Sequence, residues 1–200
     1  MARRADEVFR PKFNRVSALV IWGFAAVFGI SVLLTADLDY YATGLPVIAL
    51  FAFAAWTALW RPCVYISDDG VALVNVTRTV QVPWPALIQV DTRYALTLMT
   101  PRATHSAWAA PAPGRPTTRR AIQRNAPERD DVERVRPGDL PATNSGDAAH
   151  LVRTRWDILR HQEAIELGAA DQTQEVVHWH SLDLVIWAGL LLAAFAPVLL

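Results

Sequence analysis

Residues 61–101 read RPCVYISDDGVALVNVTRTVQVPWPALIQVDTRYALTLMTP, and their period of two decides the fold of the polar part of the chain. Val64 and Ile66 fall on one face of Cys63–Ser67, Asp68-Asp69-Gly70 is a turn signal, and Val71–Val76 alternates again. The two runs predict a β-hairpin closed by an Asp-Gly turn. Val80–Trp84 is a third strand, whose Pro83 suits an edge or a strand end because proline has no N–H to donate. After a short break at Pro85-Ala86-Leu87, Ile88–Thr92 and Tyr94–Leu98 alternate, and His105–Ala109 follows a turn at Pro101–Thr104. Six short strands predict an antiparallel meander over 61–111 that must curl or close to protect its edges. Trp84 and Trp108 are the expected core anchors, since each ends or centres an alternating strand. Cys63, the only cysteine, is expected to be a small strand residue, and it excludes an intrachain disulfide.

Downstream, residues 112–146 lose all periodicity. Prolines recur through Pro111, Pro113, Pro116, Pro127, Pro137 and Pro141, with mixed charges around them, which predicts a long loop or a disordered insertion. A helix is expected over 147–167. Asn144, Ser145 and Asp147 offer N-cap oxygens and Gly168 a stop, while Leu151, Val152, Ile158, Leu159 and Ile165 make an apolar stripe fit to cover an open sheet or barrel mouth.

Upstream the composition changes. The whole chain is 52% hydrophobic and 19% charged, but residues 16–60 hold only Asp37 and Asp39 as charges, and residues 184–200 hold none. Val16–Ala36 as a helix is about 31 Å long, enough to cross a hydrocarbon core, and Ala42–Trp60 is nearly as long. Together they predict a transmembrane hairpin, 16–36 and 42–60, after an N-terminal tail, 1–15. Arg3, Arg4, Arg10, Lys12 and Arg15 precede it and Arg61 follows it, so the positive-inside rule puts both ends in the cytoplasm and the Asp37–Tyr41 turn outside. Tyr40 and Tyr41 suit the outer interface, Trp56 and Trp60 the inner one. Cleavage after Ala36 would need a small residue where Leu34 stands, so the first span is read as an uncleaved anchor. Leu184–Leu200 is a third apolar stretch, about 26 Å as a helix, expected to cross and leave the C-terminus outside.

The charge balance limits the functions open to the chain. Nineteen basic and nineteen acidic residues cancel, and no basic stripe stands out, which excludes nucleic acid as an electrostatic partner.

Residues 61–101, followed by HSAWAAPAPGR, resemble the small bacterial PH-like domain of the low molecular weight protein antigen 6 type, found in actinobacterial membrane proteins beside two N-terminal spans. The shared features are a strand ending in Asp68–Gly70, a strand leading into Thr77–Thr79, a strand ending in Pro83–Trp84 before a short break, a strand reaching Asp91–Arg93 and the apolar strand Ala95–Met99. The resemblance implies a strongly bent seven-stranded β-sandwich or barrel capped by a helix, and no enzymatic activity. Six strands are legible here, and the insertion before the helix is a departure. Lipid-binding PH domains typically carry a basic first hairpin loop, whereas Asp68-Asp69-Gly70 would repel a phosphorylated headgroup.

No catalytic constellation assembles. The nine glycines form no phosphate loop, no G-x-S-x-G elbow exists, and Asp68-Asp69 reads as turn chemistry. His178-x-His180 is the only close histidine pair and lacks a third ligand, so neither a metal nor a cofactor is expected. The expectation is therefore a multi-pass cell-membrane protein: a transmembrane hairpin, a cytoplasmic PH-like β unit capped by a helix, and a C-terminal transmembrane helix. Its partners would be the bilayer and another membrane or membrane-proximal protein, met as a non-enzymatic interaction or scaffold module. Two alternatives stay open: a sensor of anionic lipid headgroups through Arg78, Arg93 and Arg102, and a subunit of a membrane enzyme using His178, His180 and Asp183.

Overall fold

A computed structural model describes residues 5–35, 38–114, 137–165, 168 and 170–199. The chain divides into a β unit, residues 1–11 and 63–178, and a helical unit, residues 12–62 and 179–200.

In the β unit the expected six strands are β2 (Cys63–Ile66), β3 (Gly70–Val74), β4 (Arg78–Pro83), β5 (Gln89–Asp91), β6 (Ala95–Met99) and β7 (Thr104–Pro111). Two more strands arise outside that run: β1 (Glu7–Phe9) and β8 (Val176–Trp179). They form a five-stranded sheet of order β1-β2-β3-β4-β8 and a three-stranded sheet of order β5-β6-β7. The alternation sets the two faces: Val64, Ile66, Val71, Leu73, Val80 and Val82 of one sheet and Leu96, Leu98, Ala107 and Ala109 of the other share a single core.

The Asp-Gly hairpin forms, closed by Ser67 N–H donating to Gly70 O at 3.0 Å. Its glycine serves close approach and not a left-handed backbone: a Cβ on Gly70 would lie 2.4 Å from Val82 O on the neighbouring strand. Trp84 is 2% exposed and donates its indole N–H to Ser67 O at 3.0 Å. Trp108 departs from expectation at 56% exposed. Parity on β7 turns His105, Ala107 and Ala109 inward and Ser106 and Trp108 outward, so the small alanines, not the indole, face the core.

The helix α3 spans Asn144–His161, beginning before and ending well before the expected 147–167. Thr143 is the cap, its Oγ1 accepting from Gly146 N–H at 3.1 Å, and Asp147 Oδ1 accepts from Ala142 N–H at 3.0 Å. The helix stops because Glu163 takes a left-handed conformation, φ 55°, five residues ahead of Gly168. Ala148, Ala149, Val152 and Leu159 bury its apolar stripe in the core, and Ile165 follows from beyond the helix. Residues 115–136 of the expected insertion lie outside the described residues.

The expected tail 1–15 is also corrected. Glu7–Phe9 is the edge strand β1, with Glu7, Val8 and Phe9 opposite Ile66, Tyr65 and Val64. Phe9 packs against the core, which gives so short a strand its reason to form. Arg10-Pro11 then leads into the apolar helix α1, and Arg61-Pro62 leads from the next apolar helix into β2. Proline has no N–H to carry a helix onward, so it suits the boundary of an element, although Arg61 before Pro62 still keeps helical angles, φ −72° and ψ −41°.

The helical unit contains α1 (Lys12–Thr35), α2 (Leu38–Ala55) continued by a π-helical turn at Trp56–Trp60, and α4 (Ser181–Leu199). Both α1 and α2 start about a turn earlier than the expected apolar spans. Trp22 packs on Trp60 with ring centroids 5.1 Å apart and planes tilted by 46°, and donates to Ala52 O at 3.0 Å, joining α1 to α2. Phe53 meets Trp187 edge-on at 5.6 Å, and the Arg61 guanidinium pairs with Asp183, joining α2 to α4. Lys12–Thr35 and Tyr41–Trp60 are long and apolar enough to cross a membrane, whereas the apolar part of α4, Ser181–Ala196, is shorter. Only 6% and 11% of the two long windows are buried. The core helix of a soluble domain would be covered, so this much bare apolar surface sets the pair apart from one.

Candidate binding site

The chemistry-bearing side chains of the β unit converge on α3. Arg155 stands three residues after Val152 and four before Leu159, on the apolar stripe of the helix, and is 2% exposed. A guanidinium cannot shed its charge, so its burial requires acceptors. Three surround it. Asp68 Oδ1 accepts at 2.5 Å, Ala5 O at 2.7 Å and Glu7 Oε1 at 3.3 Å. One side chain thus ties the helix, the β2–β3 turn and β1 together. Glu7 and Phe9 share the inner face of β1, while Val8 points outward at 41% exposed. Tyr65, opposite Val8, bonds through its hydroxyl to Asp6.

On another side of the same helix, Arg153 donates to Asp139 Oδ1 at 2.8 Å and to Val90 O at 3.1 Å on the edge of β5. Thr92 donates to the same Asp139 oxygen at 2.9 Å. Gly138 is required here, since a Cβ would lie 1.9 Å from Thr92 O. A third edge is covered by Asn75, whose amide accepts from Trp108 N–H at 2.8 Å and donates to Ser106 O at 2.9 Å, as a strand would. Beside the β2–β3 turn, a groove of about 290 Å³ on the outer sheet face is lined by Tyr65, Ser67, Asp69, Ala72 and Gln81 among others.

The arginines singled out from the sequence do not share a mouth. Arg78 opens β4, in a turn closed by Asn75 N–H donating to Arg78 O at 3.0 Å. Arg93 lies in the β5–β6 turn, and Arg102 lies in the β6–β7 turn, donating to Asp171 O at 3.3 Å. These turns flank opposite ends of β6, roughly 17 Å apart for five strand residues. The arginines that do anchor the domain, Arg153 and Arg155, lie outside that set. Their signal was the basic residue at position 155 inside an apolar stripe, where a buried partner is obligatory.

Of the histidines, His178 is exposed on β8, and His180 Nδ1 lies 3.8 Å from the Asp183 carboxylate that Arg61 holds. His105, 6% exposed, lies 3.6 Å from Glu175, too far for a direct hydrogen bond. Among the described residues no three His, Cys, Asp or Glu side chains are grouped to hold a metal ion. Cys63 is buried on β2.

Residues 61–155 match the family model described as Bacterial PH domain. No curated protein and no solved structure gives a significant match. The matched segment starts two residues before β2 and ends at Arg155, so it holds the six-stranded meander and most of the helix that closes it, and omits β1 and β8. The chain therefore carries a bacterial PH domain over residues 61–155.

Proposed function

We propose that this chain is an integral membrane protein that holds its PH domain on the cytoplasmic side as a non-catalytic binding module for another membrane or membrane-proximal protein. The observation that carries the reading is the joining of a bacterial PH domain to two long apolar helices that leave their surface bare. Hydrocarbon surface of that extent needs a lipid solvent. Arg10, Lys12, Arg15 and Arg61 flank these helices on one side, which favours the cytoplasmic orientation. The anchor confines the domain to a thin layer next to the bilayer and so raises its effective concentration for membrane partners.

A protein partner is favoured over an anionic headgroup by the charge arrangement. A phosphate reader needs cationic side chains converging on one mouth. Here Arg155 and Arg153 are committed to Asp68, Glu7 and Asp139, and Arg93 and Arg102 flank opposite ends of a strand.

Fractionation tests the anchor: carbonate-washed membranes retain the chain if the reading holds, and release into the supernatant sinks it. An impermeant thiol probe applied to whole cells tests the orientation, with an Asp69→Cys variant that stays unlabelled until the cells are opened. Capture of the intact protein from solubilised membranes tests the role. A reproducible protein partner supports the module, whereas binding to anionic vesicles that equals binding to any protein would move the assignment to lipid.

A further inference from the structure

We propose that Arg15 and Trp60, where α1 begins and the π-helical turn of α2 ends, form a binding site for the phosphate of an anionic phospholipid of the cytoplasmic leaflet. This rests on the reading of α1 and α2 as membrane spans with that end in the cytoplasm, and it places on the anchor a phosphate chemistry that the committed arginines of the PH domain do not offer.

Arg15, Ala18 and Trp22 follow one another at three and four residues and so share one face of α1. That face lies against α2: Ala18 is fully buried, and Trp22 packs on Trp60 and donates to Ala52 O. Arg15 therefore stands on the seam between the helices, half-buried, and not among the lipid-facing residues of α1. Its guanidinium carbon is 4.7 Å from the centroid of the Trp60 ring, which fixes one face of the cation. Its Nε is covered by the protein and meets no acceptor. The two terminal nitrogens are not covered and, among the described residues, hold no hydrogen bond or ion pair. A guanidinium keeps its charge, so this fork takes its acceptor from outside the chain.

Counter-charge at this end of the helical unit is already used. Asp183 pairs with Arg61, whose guanidinium lies 5.0 Å from the Trp56 ring centroid, and His180 Nδ1 is 3.8 Å from the same carboxylate. Lys12 is exposed one turn before Arg15. Three cations, Lys12, Arg15 and Arg61, thus stand against one acid, Asp183, among the described residues here. Depth selects the ligand. From Arg15 to Thr35 α1 runs about 30 Å, so the fork lies at the edge of the hydrocarbon core, where lipid phosphates are dense and water thins out. The planar fork takes two phosphate oxygens together, and Lys12 adds attraction for the net charge. A zwitterionic headgroup is disfavoured, because its ammonium would meet the surplus of positive charge.

The test is native mass spectrometry of the full chain in detergent with equimolar phosphatidylglycerol and phosphatidylcholine. One phosphatidylglycerol is retained over phosphatidylcholine by about fivefold or more, the effect of roughly one well-placed cation. Arg15→Gln abolishes that preference, and Arg15→Lys lowers it part way, since an ammonium keeps the charge without the fork. Trp60→Leu leaves every charge in place and still lowers the preference about threefold, because the cation loses its platform. Arg10→Gln removes an equal charge elsewhere and leaves most of the preference intact. A melting transition in detergent reports that each variant is folded. Should Arg15→Gln not fold, Arg15→Lys and Trp60→Leu carry the test with the same expected order. Failure of all three to fold makes Arg15 and Trp60 a structural pair and overturns the proposal. Full preference in Arg15→Gln or in Trp60→Leu also overturns it, as do equal losses from Arg10→Gln and Arg15→Gln, which assign the preference to diffuse charge. Displacement of the lipid by millimolar inorganic phosphate makes this a water-accessible phosphate site and overturns the lipid. A chain without lipid preference that carbonate-washed membranes still retain loses the site and keeps the anchor, whereas a chain that carbonate releases loses both.

Discussion

Replacing Arg155 with methionine removes the charge while keeping most of the aliphatic stem that packs beneath the β1 edge. The guanidinium is 2% exposed and holds acceptors at 2.5, 2.7 and 3.3 Å. Hydrogen bonds to charged groups contribute about 1.5–3 kcal/mol each when both partners are dry. Asp68 and Glu7 keep 24% and 36% of their side chains exposed, so both rehydrate on losing the arginine, and the 3.3 Å contact is the weakest of the three. The expected loss is therefore set by the two short bonds, at about 3 kcal/mol, the lower end of the range for breaking a buried ion pair. That is roughly a hundredfold in a local opening equilibrium. Hydrogen exchange on the intact protein reads it directly. The amides of Glu7 and Phe9, which alternate towards β2, lose about a hundredfold in protection, while those of Leu96 and Leu98 in β6 keep theirs. Arg155→Lys falls between, because a single ammonium does not reproduce the fork. Unchanged protection of β1 in Arg155→Met would refute the clasp, and equal loss across both sheets would make the arginine a support of the whole core and not of the strand.

Three further outcomes follow from the same geometry. Gly138→Ala drives a Cβ to within 1.9 Å of Thr92 O, a backbone atom that cannot swing away, so thermal unfolding moves down by roughly 5–10 °C. Asn75→Ala strips two hydrogen bonds from the edge of β7, costs about 1–2 kcal/mol, and speeds exchange of the Trp108 amide by roughly tenfold. Arg61→Asp and Asp183→Arg each place like charges at the junction of α2 and α4 and lower the melting temperature in detergent, whereas the double exchange recovers most of the loss, with a coupling of about 1–3 kcal/mol.

Much of the fold is legible in local pattern. The six strands of the meander follow from period-two alternation, and the two long apolar helices from runs that exclude charge. These signals are strong because each is repeated over many neighbouring residues. The helix of 144–161 was placed by its stripe, but its end was not, because the stop is a left-handed glutamate that leaves no mark in composition. Trp108 misled for a related reason. Its size suggested the core, yet position parity outranks size when the inward neighbours are alanines sized to a close sheet-to-sheet approach.

The short edge strands β1 and β8, of three and four residues, carry too little alternation to register alone. Their reason to form lies in a partner strand distant along the chain. The binding cluster is illegible for the same cause: Arg155 and the Ala5 carbonyl are 150 residues apart. A basic residue on an apolar stripe announces that some acceptor must be found, without saying which. Period and hydropathy are properties of neighbours in sequence, so the amino-acid order alone specified a β meander joined to apolar helices. Which acid neutralises the buried guanidinium, which edge the N-terminal strand extends, and which arginines stand apart depend on long-range closure of the chain, and emerged only once the sheets were packed.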